Sequence, residues 1–588
     1  MAANVYKKCY SQTQYVDLES DSIAIRARVV GLKEHAFFQR LLVADTNLQS
    51  KMTLELVSEV QEFIEQNQLE FLLDYYPSMM RLAREAPFPT IQEAFVSIVS
   101  TIQARWPEQF QNLHATPRIS YFINNQDLDA WKSSEDQQLI KIFQTVFLRT
   151  GRIDHFNQLL ASHREYLKCF HSCLDSTMIR DGTLPLQWRC YIALMASAES
   201  RCNYFAEIQE FQFIVNRGDP EWIRGIDFIP EKLFQFHELG SLLAHRPWLI
   251  EPHHIADLLS SEREDSWSVS ELVHAIIVFS IYNSMCCVAL GVGCAEEEDL
   301  AVFIEYNEVL ENDSDPAYPV QRVQSSDQKD LRGTERRSNS TSSSLDSSEL
   351  DIAAMERDDL LLLRRLENGM HELDSACKEE ENYDAVVDDV LDDNFGIIDE
   401  NGELDWTSNM KRRRCDTLWR FCGSVVCQYT DFDVRSQAYD VLHTEDFSWD
   451  EHCFSLVRRY FPGEAGQILE DMFNITRKLT YDYIGGDPIR NIDTCPYRMA
   501  IWYYVHRIFG ICHDDYNYRQ INYYLNRPTK FFIKKVACTP WKVSKRDFEH
   551  FDRTLDSSEK MHVTLIVAEA RKQANLLYGL RAVMQHMR

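Results

Sequence analysis

Val563–Leu577 reads VTLIVAEARKQANLL. Val563, Ile566, Val567, Ala570, Ala574 and Leu577 recur at the spacing that lines one face of an α-helix. Near the other end Leu54, Val57, Val60, Phe63 and Ile64 repeat the pattern with charged residues between them. Alternating apolar and polar runs that end in Asn-Gly or Asp-Gly turns are scarce, so strands are not expected. The sequence predicts an all-α protein.

At 588 residues the chain is too long for one core, and its length suggests roughly three or four domain-sized units. Apolar residues make up 45%, enough to fill large cores. The net charge of −30 argues against nucleic acid, which requires clustered Lys and Arg. That charge is uneven: Glu296–Asp405 holds roughly 33 acidic and about 9 basic residues. The remainder is only mildly acidic. The sixteen cysteines are scattered without paired zinc or C-x-x-C spacing, which reads as reduced thiols in the cytosol. Met1–Tyr10 has no apolar run of a secretory signal.

Leu272–Cys294 is apolar and just long enough to span a bilayer. It carries His274, Ser280, Asn283 and Ser284, lacks flanking basic anchors, and follows a capping box at Ser268–Glu271. A buried core helix is expected. Val320–Leu350 reads as a linker, with a low-complexity Ser338–Ser344, and Ala354–Leu373 as a helix within the acidic stretch. Asp392–Asp405 is not a calcium loop, because its glycines miss the sixth position. Lys411–Arg414 offers a nuclear address, although a solvated basic patch is the plainer reading.

Ser197–Gln209 (SAESRCNYFAEIQ) holds the candidate chemistry. Trp188, Ile192, Met195, Cys202 and Phe205 share a stripe if the helix is unbroken, and Cys202 is then a small buried hydrophobe. Alternatively Ser200 caps a new helix and puts Cys202 in its first turn beside Arg201, where dipole and guanidinium would favour a thiolate.

Tyr191–Ala198 (YIALMASA), Gly218–Ile250 (GDPEWIRGIDFIPEKLFQFHELGSLLAHRPWLI), Phe447–Tyr460 (FSWDEHCFSLVRRY), Ala500–Tyr518 (AIWYYVHRIFGICHDDYNY) and Ser558–Ala568 (SEKMHVTLIVA) resemble the sestrin family, stress-induced growth regulators. The resemblance covers about half the chain, 143–297 and 447–588. It implies two alkylhydroperoxidase-D-like helical halves packed together and joined by the acidic linker, 298–446, with 1–142 an extra helical region.

Three sites follow from the resemblance. Cys202 and Tyr204 match a peroxide-reducing relay, but Gln209 stands where the family has its histidine and cannot carry a proton as imidazole does. A leucine-like ligand is implied to sit with its amine on Glu559 and its carboxylate on Arg498, helped by Thr494 and the stretch Thr480, Tyr481 and Tyr483. Tyr483 replaces a threonine there, Tyr497 an aliphatic floor residue, and Asp552 a tryptophan lid. Weaker leucine binding or a changed preference is therefore expected. Asp514 and Asp515 match the pair implied to contact the GATOR subcomplex upstream of TOR complex 1. No metal or cofactor is expected. The favoured function is a cytosolic, amino-acid-responsive inhibitor of TOR complex 1; the alternatives are a thiol-dependent hydroperoxide reductase or a scaffold with both sites decayed.

Overall fold

The structure is a computed structural model that describes residues 35–110, 118–131, 136–260, 265–297, 299–300, 418–422, 429, 432, 440–478 and 493–588. The linker reading, Ala354–Leu373, Asp392–Asp405 and Lys411–Arg414 lie outside these residues, as do Thr480, Tyr481 and Tyr483. The fold is all-α. Among the described residues, extended pairing is confined to a two-residue parallel pair, β1 (Leu442–His443) with β2 (Ile511–Cys512), and a bridge between Ser120 and Cys294.

The amino-terminal helices α1 (Thr46–Glu65), α2 (Leu69–Glu85) and α3 (Pro89–Arg105) form a core of their own, to which α4 (Gln137–Thr150) contributes Val146 and Phe147. The helical period expected at Leu54–Ile64 is present, with Val60 and Ile64 buried and Val57 packed on the core, but Leu54 lies off the inward face. Gln49, Thr53, Leu56, Val60 and Ile64 point inward, whereas Leu54 is 69% exposed. Thr53 can turn inward because its hydroxyl donates to the Gln49 carbonyl at 2.8 Å, and Gln49 donates to the carbonyls of Leu41 and Val43. Polar side chains that carry their own partners can occupy a core face.

The second and larger core takes helices from both sides of the acidic stretch. They include α5 (Arg164–Leu174), α6 (Leu186–Glu199), α7 (Asn203–Val215), α8 (Glu231–His245), α9 (Val269–Gly291), α10 (Ala465–Lys478), α11 (Cys495–Ile508), α12 (Arg527–Cys538) and α13 (Ser557–Met587). α9 is the apolar stretch tested above for membrane span. Its predicted box forms, with the Glu271 N–H donating to Ser268 Oγ at 3.2 Å and the Ser268 N–H to Glu271 Oε2 at 2.8 Å. The helix is apolar and long enough to cross a bilayer, but it is buried within the protein along that length. Against it runs α13, and at Gly291 the approach leaves no room for a side chain: an added Cβ would meet Thr564 Cγ2 at 2.8 Å.

The stripe on α13 understated its burial. Its polar residues Glu569, Arg571, Lys572 and Asn575 are also inside, because they pair with one another and with neighbours. Lys572 donates to Glu569 Oε1 at 2.7 Å, and the Tyr166 hydroxyl donates to the same oxygen at 2.7 Å.

The two cores join through Ile142 and Phe143, which pack against both, and through charge. Arg81 of α2 donates to Asp299 Oδ2 at 2.8 Å and to the Gly151 carbonyl at 2.8 Å, and Arg152 pairs with the same Asp299 carboxylate. Beside this junction one oxygen of Glu85 is buried without a hydrogen-bond partner. Burial, and then the Glu297 carboxylate, raise Glu85 from 4.5 to about 7. The folded value exceeds the unfolded one, so this carboxyl contributes stability that is complete below pH ~4.5 and lost as the pH rises through about 7. Glu85→Gln should therefore gain on the wild type between about pH 5 and about pH 8, by on the order of 2 kcal/mol. Urea midpoints across that range test this, and a wild-type-to-variant difference independent of pH contradicts it.

Candidate functional site

Three groups of predicted residues occupy three places on the larger core. The thiol sits in the turn between α6 and α7. Ser200 does not cap α7: it closes α6, with its hydroxyl donating back to the Ala196 carbonyl at 2.9 Å. Arg201 then adopts a left-handed conformation, φ 50°, which breaks the helix, and Cys202 itself is the N-cap of α7. The Arg201 guanidinium does not turn to the thiol. It lies over the rings of Trp419 and Trp541, 4.8 and 4.7 Å from their centroids. Cys202 has no exposed surface, and the Cys286 thiol of α9 is its hydrogen-bond neighbour. Burial and then that neighbour push Cys286 well above the usual thiol range.

Tyr204 and Gln209 are both committed elsewhere. The Tyr204 hydroxyl donates to Glu297 Oε1 at 2.9 Å and accepts from the Phe156 N–H at 3.0 Å. Burial, then Asp154 and Glu297, hold it well above the usual phenol range, so it stays protonated. Gln209 donates to the Tyr282 hydroxyl at 3.1 Å, which anchors a side chain rather than moving a proton. The acid–base groups near this turn are ones the sequence did not flag. Glu297 also accepts from the His155 N–H at 2.7 Å, and Glu199 pairs with His245 Nε2 at 2.8 Å. Each is distant in sequence from its partner, so no local spacing announces it.

Arg498 and Glu559 are both buried, on α11 and α13, which pack against each other. Arg498 Nε donates to the Arg477 carbonyl at 2.8 Å, in the last turn of α10, and Nη1 bonds Thr494 Oγ1. Cations are favoured at that end of a helix. Thr494 is fully buried as the N-cap of α11. Glu559 serves in a capping box, accepting from the Asp556 N–H at 2.8 Å while its own N–H donates to Asp556 Oδ1 at 2.8 Å. The Asp-x-x-Glu spacing was a legible signal for that box. Tyr497 is buried beside the Asp552 and Glu559 carboxylates. Asp552 is itself buried, in a local turn that accepts from the Thr554 N–H at 2.8 Å and from its hydroxyl at 2.6 Å.

Asp514 and Asp515 stand side by side, exposed, on the turn after β2. The turn is stiff. Gly510 before it has φ 73° and lies so close to Phe432 that a Cβ would meet the ring at 2.4 Å. The His513 N–H donates to the Tyr518 hydroxyl at 2.8 Å, and Tyr516 packs tilted against Tyr503 with ring centroids 3.9 Å apart. His513 also meets His506 nitrogen to nitrogen at 2.8 Å. Burial lowers His513 to about 4 and holds His506 well below the usual imidazole range, so at neutral pH both are neutral and one donates to the other.

The family described as "PA26 p53-induced protein (sestrin)" matches residues 118–587. The chain is 34% identical over 444 residues to Sestrin-2 of Homo sapiens, covering 75% of this chain and 85% of that one. It is 33% identical over 461 residues to Sestrin-1 of Mus musculus (77% and 87%), and 29% over 520 residues to the Sestrin homolog of Dictyostelium discoideum (88% and 84%). This chain belongs to the sestrin family. The match begins at 118, ahead of the 143 read from sequence segments, and takes in the Ser120–Cys294 bridge.

The described cysteines are free thiols, and they differ sharply in access. In native protein, iodoacetamide should modify the exposed Cys495 long before the buried Cys202 and Cys286. Peptide mass spectrometry over time reads the order; Cys202 labelling as early as Cys495 would show that the α6–α7 turn is open.

Proposed function

We propose that this sestrin is an interaction protein: a stress- and amino-acid-responsive negative regulator of TOR complex 1 signalling that binds the GATOR subcomplex. The observation that carries the reading is the stiff turn that displays Asp514 and Asp515 together. Two carboxylates held by a fixed backbone give a basic partner surface charge complementarity at little ordering cost. The proposed site of action is the cytosol.

The ligand is a free amino acid, leucine or a relative, held through Glu559 and Arg498 with Thr494, Thr480, Tyr481 and Tyr483. Support comes from the burial of opposite charges on two packed helices, where each is worth more than in water. A ligand that bridges α11 and α13 acts on the same α11 that leads into the acidic turn, so differential affinity for two arrangements of that turn would transmit its presence. Hydroperoxide reduction through Cys202 and Tyr204 is the weaker reading, since Cys202 is enclosed and Gln209 is bonded to Tyr282.

Asp514→Ala with Asp515→Ala should abolish capture of the GATOR subcomplex from cells and leave the melting temperature of the full chain unchanged. Capture equal to the wild type would refute the docking assignment. Glu559→Gln tests the ligand separately, because glutamine preserves the capping box but removes the charge. It should keep the unliganded stability within about 1 kcal/mol of wild type and lose any thermal stabilisation by leucine. Equal stabilisation of wild type and variant would end this assignment.

A further inference from the structure

The parallel register of β1 and β2 pairs His443 directly with Cys512. Partners in a parallel ladder present their side chains on the same face, so imidazole and thiol stand next to each other. The chain then turns, and Asp514, two residues beyond Cys512, returns its carboxylate to that face. Its Oδ1 lies 2.7 Å from His443 Nδ1 and accepts from Cys512 Sγ at 3.9 Å. The three donor atoms all fall within 4.8 Å of one another.

We infer that His443, Cys512 and Asp514 form a site for a zinc-like divalent cation. Imidazole, thiolate and carboxylate together suit a borderline-soft tetrahedral ion, whereas calcium and magnesium take oxygen donors. Three protein ligands leave the fourth position to water, which the half-exposed rim can supply. The backbone fixes the donors: the Leu442 N–H donates to the Gly510 carbonyl at 2.9 Å and the Thr444 N–H to the Cys512 carbonyl at 3.0 Å, on either side of the pair. Glu445 and Asp446 face His443 and add negative field; Arg507 opposes it from the Cys512 side, with its guanidinium drawn over the Tyr518 ring at 5.2 Å. The inference shares Asp514 with the docking surface proposed above but does not rest on it, because the metal is read in the absence of any partner.

The test is titration of the reduced full chain with Co2+ as a spectroscopic probe and with Zn2+ against a chromophoric chelator. The site predicts a cobalt spectrum with a thiolate charge-transfer band that Cys512→Ser removes. His443→Ala should weaken zinc binding about tenfold or more, and Asp515→Ala should leave it unchanged. Circular dichroism establishes that each variant is folded. Absence of zinc binding overturns the inference, as does binding whose affinity and cobalt spectrum survive both Cys512→Ser and His443→Ala.

Discussion

Of the buried cations in the larger core, Arg571 links three further helices. Arg571, in the middle of α13, is 1% exposed and spends its guanidinium on three separate elements. It donates to Asn283 Oδ1 of α9 at 3.1 Å, to the Ala537 carbonyl at the end of α12 at 2.7 Å, and to the Ala244 carbonyl at the end of α8. Both carbonyls belong to last turns of helices, where a positive charge is favoured. Phe509, at the end of α11, covers the guanidinium with its ring centroid 4.3 Å away. Leaving a buried hydrogen-bonding group without its partner costs about 1–3 kcal/mol and more when the group is charged, above what an exposed ion pair contributes.

This hub reaches each of the sites. Asn283 accepts from Arg571 and Asn575 and donates to Ser200 Oγ at 2.9 Å, and Ser200 closes the helix that ends at the Cys202 turn. Through Phe509 it touches the end of α11, whose other end carries Arg498 and whose continuation is the acidic turn. On α13 itself it lies downstream of Glu559. The thiol turn, the buried ligand groups and the docking turn are thereby tied to a common framework, although none of the three contacts another in sequence.

Much of the architecture was legible because it rests on local signals. Helical spacing identified α1 and α13, and a continuous apolar run preceded by the Ser268–Glu271 box identified α9. What the sequence hid depends on distant partners. On α1 the inward reading holds for Val60 and Ile64 but not for Leu54, and the inward face extends through Gln49 and Thr53, whose side chains bond neighbouring carbonyls. The cap of α7 was misplaced because the helix break comes from a left-handed arginine, a conformation usually signalled by glycine or asparagine. Cys286, Glu297 and His245 reach the thiol region only through packing, so spacing around Cys202 could not reveal them. Arg498 and Glu559 were found by family resemblance, whereas their structural duties, closing α10 and capping α13, depend on contacts made only in the fold.

Amide hydrogen exchange on the full chain, wild type against Arg571→Met, tests whether Arg571 holds these sites together. A shared framework predicts that exchange accelerates together in the middle of α13, in the 196–206 turn and in α9 around Asn283, at unchanged exchange in α1–α3. Acceleration restricted to the residues flanking 571, with the thiol turn and α9 as protected as before, would contradict it.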